Sequence, residues 1–188
     1  MERKKRTIVL AIGLVGLATG ATLVAAMLIP FAVNVPASLV SLSGTAEYIS
    51  PHQRPRQLQA PSAIPLALQA GDSLRIAAES RAILTLEVGN GRIVTNGPTT
   101  LRLVRSAREA TLLGHLFGSE RFPRRYTLAL QQTGGMASYV FETEALISGR
   151  LDLSVQLPDR VFVPSQPCWA IVFPDEGPPS VREYPCTP

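Results

Sequence analysis

The sequence predicts an all-β exported domain, solenoid-like or sandwich-like, preceded by a single N-terminal transmembrane helix. Two observations carry this prediction. Residues Thr7–Val33 form an almost wholly apolar run without a charged side chain. Beyond Pro36 the large apolar residues instead recur at every second position, in short runs separated by turn residues. That period is typical of half-buried strands, and no later stretch has the period of a long amphipathic helix.

The first six residues are predicted to form a cytoplasmic tip. Directly before the apolar run lies a basic cluster made of Arg3, Lys4, Lys5 and Arg6. Basic residues beside a membrane helix stay on the cytoplasmic side. We therefore expect a single-pass protein of the plasma or inner membrane, with its N-terminus in the cytoplasm and its C-terminal domain outside it. Membrane lipid is accordingly a predicted partner.

The transmembrane helix is predicted at residues 7–33. The hydrocarbon core takes about 20 helical residues, and a lone apolar segment satisfies its backbone in lipid only as a helix. Pro30 falls near the far end of the run, and Pro36 helps to stop the helix. The alternative is a cleaved signal peptide, with small residues at a cleavage site near Ala18–Ala21. The run is longer than a signal core of about 7–15 residues, which favours an uncleaved anchor.

Small residues in the apolar run suggest a packing face. Gly16 and Gly20 are four residues apart, and Gly13 lies on a nearby face of a helix. Such spacing lets two membrane helices approach closely. The alternative is that Gly and Ala are simply common in membrane helices.

Residues 34–43 are predicted to link the helix to a β-rich domain at 44–173. Within that domain, residues 51–65 carry four prolines and two arginines, which indicates an exposed excursion between strands. Residues 174–188 are predicted to be a proline-rich tail. The alternating runs are Val40–Ser43, at the end of the linker, and Leu66–Gln69, Ile83–Val88, Leu101–Val104, Tyr126–Leu130, Leu151–Val155 and Val161–Val163.

The cysteines predict one disulfide. Cys168 and Cys186 are the two cysteines of the chain, and both lie in the part expected outside the cytoplasm, where thiols oxidise. A bond between them would tie the tail to the strand that begins at Cys168. The alternatives are two free thiols, or one covalent lipid or intermolecular link.

The charge distribution argues against a nucleic-acid partner. The net charge is +4, but the first six residues carry four basic side chains and one acid. The remainder is therefore nearly neutral, whereas nucleic-acid binding needs a concentrated positive face.

No catalytic, cofactor-binding or metal-ligating set is predicted. His52 and His115 stand apart and have no spacing typical of a zinc site. Glu142 and Glu144 would share one face of a strand, suited to acid–base work or a cation, but a solvated face beside Arg150 explains them better. A cluster formed by Arg121, Arg124 and Arg125 suits an acidic partner or lipid headgroups, or else a solvated loop.

The stretch Leu66–Leu103 resembles the core of the FecR-type domain. The matching turns are Gly71-Asp72, Ser80-Arg81-Ala82, Gly91-Arg92-Ile93 and Pro98-Thr99-Thr100, and Leu84 and Leu86 match the alternating strand. The resemblance covers about forty residues, and a counterpart of the family's closing "Gly-Thr-x-Phe" strand is not evident.

This resemblance implies an all-β, solenoid-like extracytoplasmic domain used for protein contacts or ligand sensing. The family's best-known members pass a signal to a cytoplasmic anti-sigma segment, and a six-residue tip is too short to be one. The expected function is therefore a non-catalytic binding or sensing module that recognises a protein or envelope component. The alternative is an accessory subunit of a larger membrane complex, held by its helix. An enzyme is disfavoured, and the oligomeric state is left open.

Overall fold

Strands dominate the computed structural model, which describes residue 22 and residues 27–60, 65–112 and 125–186. This confirms the all-β prediction. A 3-10 turn lies at Val88–Asn90, and a short helix, α1, spans Thr143–Ile147. The strands are β1 Pro30–Asn34, β2 Ala37–Ser43, β3 Thr45–Ile49, β4 Arg56–Gln59, β5 Leu66–Leu68, β6 Ser73–Ile76, β7 Arg81–Leu86, β8 Gly91–Asn96, β9 Thr99–Thr111, β10 Tyr126–Thr133, β11 Met136–Val140, β12 Leu151–Gln156, β13 Val161–Phe162, β14 Cys168–Val172 and β15 Ser180–Tyr184.

The strands form two sheets. Sheet A has the order β13-β12-β10-β9-β6-β3-β4, with β1 also paired to β9, and sheet B has the order β15-β14-β11-β8-β7-β2-β5. Within these orders neighbouring strands are antiparallel, except for the parallel pair β10 and β12. Buried side chains of both sheets belong to one apolar core. Of the two predicted architectures, this is the sandwich.

By its internal contacts the chain divides into two units. The first comprises residues 1–32 and 109–123, and the second comprises residues 33–108 and 124–188. The apolar core of both sheets lies in the second unit.

Period-2 patterning explains why the strand predictions succeed. In β7, Ala82, Leu84 and Leu86 are buried, while the residues between them are less buried or exposed. The same alternation holds in β12, where Leu151 and Leu153 are buried. Successive strand side chains point to opposite faces, so every second residue enters the core.

The predicted linker at residues 34–43 is wrong. Most of it forms β2, whose Leu39 and Leu42 are buried. These leucines are three residues apart, which hides the strand period. The register with β7 shifts between Leu39 and Ser41, and this bulge turns both leucines into the core.

The predicted end of the membrane helix at residue 33 is also wrong, because residues 30–33 lie in β1. Strand β1 pairs with β9, and this pairing supplies its backbone with hydrogen-bond partners. Residues 7–21 and 23–26 of the predicted helix, with Gly13, Gly16 and Gly20, lie outside the described part, as does the basic cluster Arg3–Arg6. Among the residues that the structure describes, no helix is both long and apolar enough to cross a membrane.

Two segments predicted to be irregular contribute strands. The excursion at residues 51–65 includes β4, whose Leu58 is buried. The tail at residues 174–188 includes β15, which pairs along its whole length with β14. The domain therefore extends past residue 173. Both strands are at sheet edges, where mostly polar sequences are tolerated because one side faces solvent.

The predicted disulfide is confirmed. Cys168 and Cys186 are bonded, with their Cα atoms 5.4 Å apart. Cys168 is the first residue of β14 and lies opposite Tyr184 of β15. The bond therefore fastens the end of the chain to the edge of sheet B.

Replacing both cysteines by alanine is expected to lower the free energy of unfolding by up to about 3 kcal/mol, because the bond closes a loop of 18 residues and constrains the unfolded chain. Urea denaturation of the full chain in mild detergent measures the loss. The control is Tyr184→Ser, an exposed change on the same edge strand. Equal stability of the double variant and the control would contradict the expectation.

Candidate binding face

The outer surface of sheet B carries a mostly apolar row across four strands, with one serine in it. Ile83 pairs with Val94, Val94 with Ser138, and Ser138 with Ala170. All four side chains are half-buried, as expected for residues that are covered only by their neighbours in the sheet. Their sequence neighbours point the other way and are buried in the core, for example Leu84.

Two further rows flank the first one. In one row Met136 lies between Asn96 and Val172. In the other row Val140 lies between Arg92 and Cys168. Met136 is 39% exposed and Val140 is 41% exposed. We call this surface the sheet-B face; it consists of Ile83, Val94, Met136, Ser138, Val140, Ala170 and Val172.

The charged residues that surround the sheet-B face are arginines. Arg81 and Arg92 lie at strand ends, and Arg182 lies on the edge strand β15 opposite Ala170. No carboxylate occupies a position in these three rows among the described strands. The face is thus apolar in the middle and positive at its rim.

The outer surface of sheet A differs in character. Glu47 and Arg75 form an ion pair at 3.1 Å across β3 and β6. Farther along the sheet, Arg102 lies opposite Gln131, and Asp152 lies opposite Thr127. Hydrophobic-in, polar-out alternation is ordinary for an antiparallel sheet with one solvated face. The sheet-B face departs from that rule, and this asymmetry makes it the candidate site.

A groove of about 420 Å³ lies beside α1, next to the Cys168–Cys186 bond. One of its lining residues, Pro167, directly precedes Cys168 of β14. Ile147 on its wall is 79% exposed. The groove is lined by Thr143, Leu146, Ile147, Pro164, Ser165, Gln166, Pro167, Pro185 and Cys186.

Glu183 holds the loop that forms one wall of the groove. Its carboxylate accepts hydrogen bonds from the Ser165 N–H at 2.6 Å, the Ser165 hydroxyl at 2.7 Å and the Gln166 N–H at 3.3 Å. Burial alone would raise the pKa of Glu183, but these three donors outweigh it and lower that pKa because they favour the charged form. At neutral pH the carboxylate is therefore ionised and fastens the loop to β15.

The residues of the FecR-like turns have structural contacts. Gly71 has a φ of +97°, which glycine adopts without strain. The Asp72 carboxylate accepts hydrogen bonds from the Tyr48 hydroxyl and the Gln69 N–H, both at 2.7 Å. Burial, and then this bond to Asp72, raises the pKa of Tyr48.

The remaining FecR-like turn residues also serve the fold. Gly91 packs so closely against the Phe141 ring that a Cβ there would overlap it. The hydroxyl of Thr99 donates to the Asn96 carbonyl at 2.6 Å, just after Pro98. None of these residues belongs to the sheet-B face.

The acidic pair does not lie on a strand, so the strand placement is wrong, but both residues are exposed, as the favoured solvated interpretation expects. Glu142 directly precedes α1 and accepts a hydrogen bond from the Asn90 side chain at 2.9 Å, while Glu144 is in the first turn of α1. His52 is exposed in a turn, and Arg125 is exposed. His115, Arg121 and Arg124 lie outside the described residues. Within the described residues, no group of three His, Cys, Asp or Glu side chains could hold a metal ion.

Sequence reasoning missed the sheet-B face although a signal was present. The strand Cys168–Val172 is apolar at every position, and Ala82-Ile83-Leu84 is apolar at three successive positions. Strands buried on both faces show such runs. In a sandwich, whose sheets have only one inner face, a continuous apolar run places apolar side chains on the outer face as well.

Comparisons of the chain with protein-family models, with curated proteins and with solved structures find no match in any of the three. The site is therefore interpreted from its own chemistry.

Proposed function

We propose that this chain is a membrane-anchored extracytoplasmic binding or sensing module, without catalytic activity, that recognises another protein through the sheet-B face. The observation that carries the proposal is the apolar outer surface of sheet B with its arginine rim. The Cys168–Cys186 bond supports a location in an oxidising compartment. The basic cluster and the apolar run Thr7–Val33 support a membrane anchor. The FecR-like turns fit the same function, since that family uses its domain for contacts.

The dimensions of the face suit a protein partner. Four strands about 4.8 Å apart, with rows about 7 Å apart along each strand, cover a few hundred Å². Exposed apolar patches of this size on a monomer commonly mark interaction sites. A flat sheet surface lacks the concavity that encloses a small ligand, so a macromolecular surface fits better.

Charge complementarity defines the partner further. Arg81, Arg92 and Arg182 surround the apolar centre. Complementary interfaces place opposite potentials together. We therefore propose a partner whose contact surface is apolar at its centre and acidic at its edge. The groove beside α1, with the exposed Ile147, extends the same surface for an additional segment of that partner.

The test is affinity capture with the full chain from membranes solubilised in mild detergent, followed by identification of the captured proteins. We expect the double variant Met136→Asp, Val140→Asp to lose a specific partner at least about tenfold, because a buried, unpaired carboxylate costs well over the 1.4 kcal/mol of a tenfold change. Both side chains are exposed, so the fold tolerates the change. Arg92→Glu is expected to weaken the same capture.

The matched control is Val161→Asp. It puts the same charge on another exposed valine, 61% exposed on β13 of sheet A. The control is expected to capture the partner as the unmodified chain does. Equal capture by all variants, or capture of no protein by the unmodified chain, would overturn the proposed function.

A further inference from the structure

Exposed apolar side chains are concentrated in the first unit of the chain. Leu28 is 43% exposed, Ile29 64%, Phe31 41% and Leu112 43%. The described residues of this unit are Thr22, residues 27–32 and residues 109–112. Four large apolar residues exposed within so short a stretch of chain are unusual for a surface in water.

Strand pairing places the two segments side by side. β1 pairs with β9, and the Val35 N–H donates to the Ser106 carbonyl at 3.0 Å. Residues before Val33 share a unit with residues after Arg108, which an antiparallel course of the two strands explains. The two segments that carry the exposed apolar residues therefore adjoin the same strand pair.

The length of the apolar run places the start of β1 close to the end of the predicted membrane helix. Thr7–Val33 contains 27 residues, and a helix needs about 20 to cross the hydrocarbon core. The helix predicted from the sequence, counted as about 20 residues from Thr7, would end near Met27. β1 begins three residues later, at most about 11 Å along the chain.

Basic residues lie at the base of the β9–β10 hairpin. Arg125 is exposed directly before β10, and Tyr126 lies opposite Arg108 on β9. Arg108 also pairs with Glu87 at 3.5 Å. Exposed arginines are suited to anionic headgroups, since each basic residue near such a surface adds about 1 kcal/mol of attraction.

We propose that Leu28, Ile29, Phe31 and Leu112 contact lipid, so that the end of β9 is a second membrane contact beside the anchor. This inference rests on the proposed membrane anchoring. The lipid is a mixed neutral and anionic surface.

The experiment uses the full chain reconstituted into vesicles of phosphatidylcholine with a minority of phosphatidylglycerol. A spin label is placed at Leu112→Cys and, in a separate sample, at Ile147→Cys. The native cysteines are bonded to each other and do not take the label. Ile147 is exposed in the second unit and is the matched control. Vesicle flotation in the same samples reports whether the chain is anchored.

The label at residue 112 is expected to collide several-fold less with a water-soluble nickel complex, and more with oxygen, than the label at residue 147. A label at Leu28→Cys is expected to behave like the label at 112, and it replaces that variant if Leu112→Cys does not fold. Flotation with equal nickel access at residues 112, 28 and 147 would overturn this inference and leave the anchor standing. A chain that does not float with the vesicles would overturn the anchor, and the second contact with it.

Discussion

Replacing Trp169 by alanine is expected to lower the free energy of unfolding by about 3–5 kcal/mol, the range for removing a large aromatic side chain from a core. Trp169 is fully buried. Its ring stacks on Tyr139 at a centroid distance of 5.2 Å and on Phe141 at 5.3 Å. The edge of Phe162, on a strand of sheet A, meets it at 6.1 Å. The tryptophan thus joins the two sheets.

The unpaired indole N–H of Trp169 moves the expected loss of unfolding free energy toward the lower end of that range. The Trp169 Nε1–H has no hydrogen-bond partner among the described residues, and an unsatisfied buried donor already costs about 1–3 kcal/mol. The alanine variant loses the packing but also removes this donor. The neighbouring Tyr139 hydroxyl, in contrast, donates to Gln132 Oε1 at 2.8 Å. Burial raises the pKa of Tyr139 far above its ordinary value, so this hydroxyl keeps its proton.

Urea denaturation of the full chain in mild detergent, followed by far-ultraviolet circular dichroism, measures the effect, since the variant lacks the only tryptophan of the chain. Tyr184→Ala is the control, because it removes an exposed aromatic ring from the next strand of the same sheet. A loss for Trp169→Ala no larger than that of the control would contradict the described stack.

Replacing Asp72 by alanine is expected to cost about 3–5 kcal/mol. Asp72 is 2% exposed and accepts hydrogen bonds from the Tyr48 hydroxyl and the Gln69 N–H, both at 2.7 Å. Hydrogen bonds to a charged group contribute about 1.5–3 kcal/mol each. The alanine also leaves the Tyr48 hydroxyl, itself on a buried residue, without this acceptor.

The backbone around Asp72 adds to its importance. Its own N–H donates to the Gln69 carbonyl, its carbonyl accepts from the Leu103 N–H, and the Gly71 N–H donates to the Leu103 carbonyl. The turn is therefore fastened both to β3, through Tyr48, and to β9. Loss of the carboxylate loosens the entry to β6.

The same urea titration tests Asp72→Ala, with Asp152→Ala as the control. Asp152 is an exposed aspartate on β12 of sheet A, and its removal is expected to change stability by at most about 0.5 kcal/mol. Equal midpoints for the two alanine variants would show that the Asp72 carboxylate is not needed for the fold. Tyr48→Phe, which removes the hydroxyl alone, is expected to fall between them.

The sequence predicted most of the strands because their leucines alternate. It failed where the alternation is interrupted or where the strand lies at an edge. The run Val40–Ser43 alternates, but the bulge between Leu39 and Ser41 breaks the period, so the sequence predicts a linker over residues 34–43, where β2 begins at Ala37. β15 reads SVREY, and neither its charges nor its flanking prolines predict a strand. These residues form a strand because their backbone pairs with β14 and because the disulfide at Cys186 holds the adjoining chain there.

The candidate site was less predictable than the fold. Apolar runs such as Cys168–Val172 show that a strand has two apolar faces, but they do not show which strands are neighbours. Ile83, Val94, Ser138 and Ala170 come from four strands and meet only through the register of sheet B. The arginine rim depends on the same register.

By itself, the sequence determined the all-β class, the bonded cysteine pair and the turns at Gly71-Asp72 and Pro98-Thr99, because these follow from local period, composition and backbone preference. The apolar run and its basic flank, which carry the prediction of a membrane anchor, are likewise local features. Only the tertiary structure decided the order of the strands, the course of β1 beside β9 and the existence of the sheet-B face. These depend on pairing between segments far apart in the chain, which local patterns do not encode.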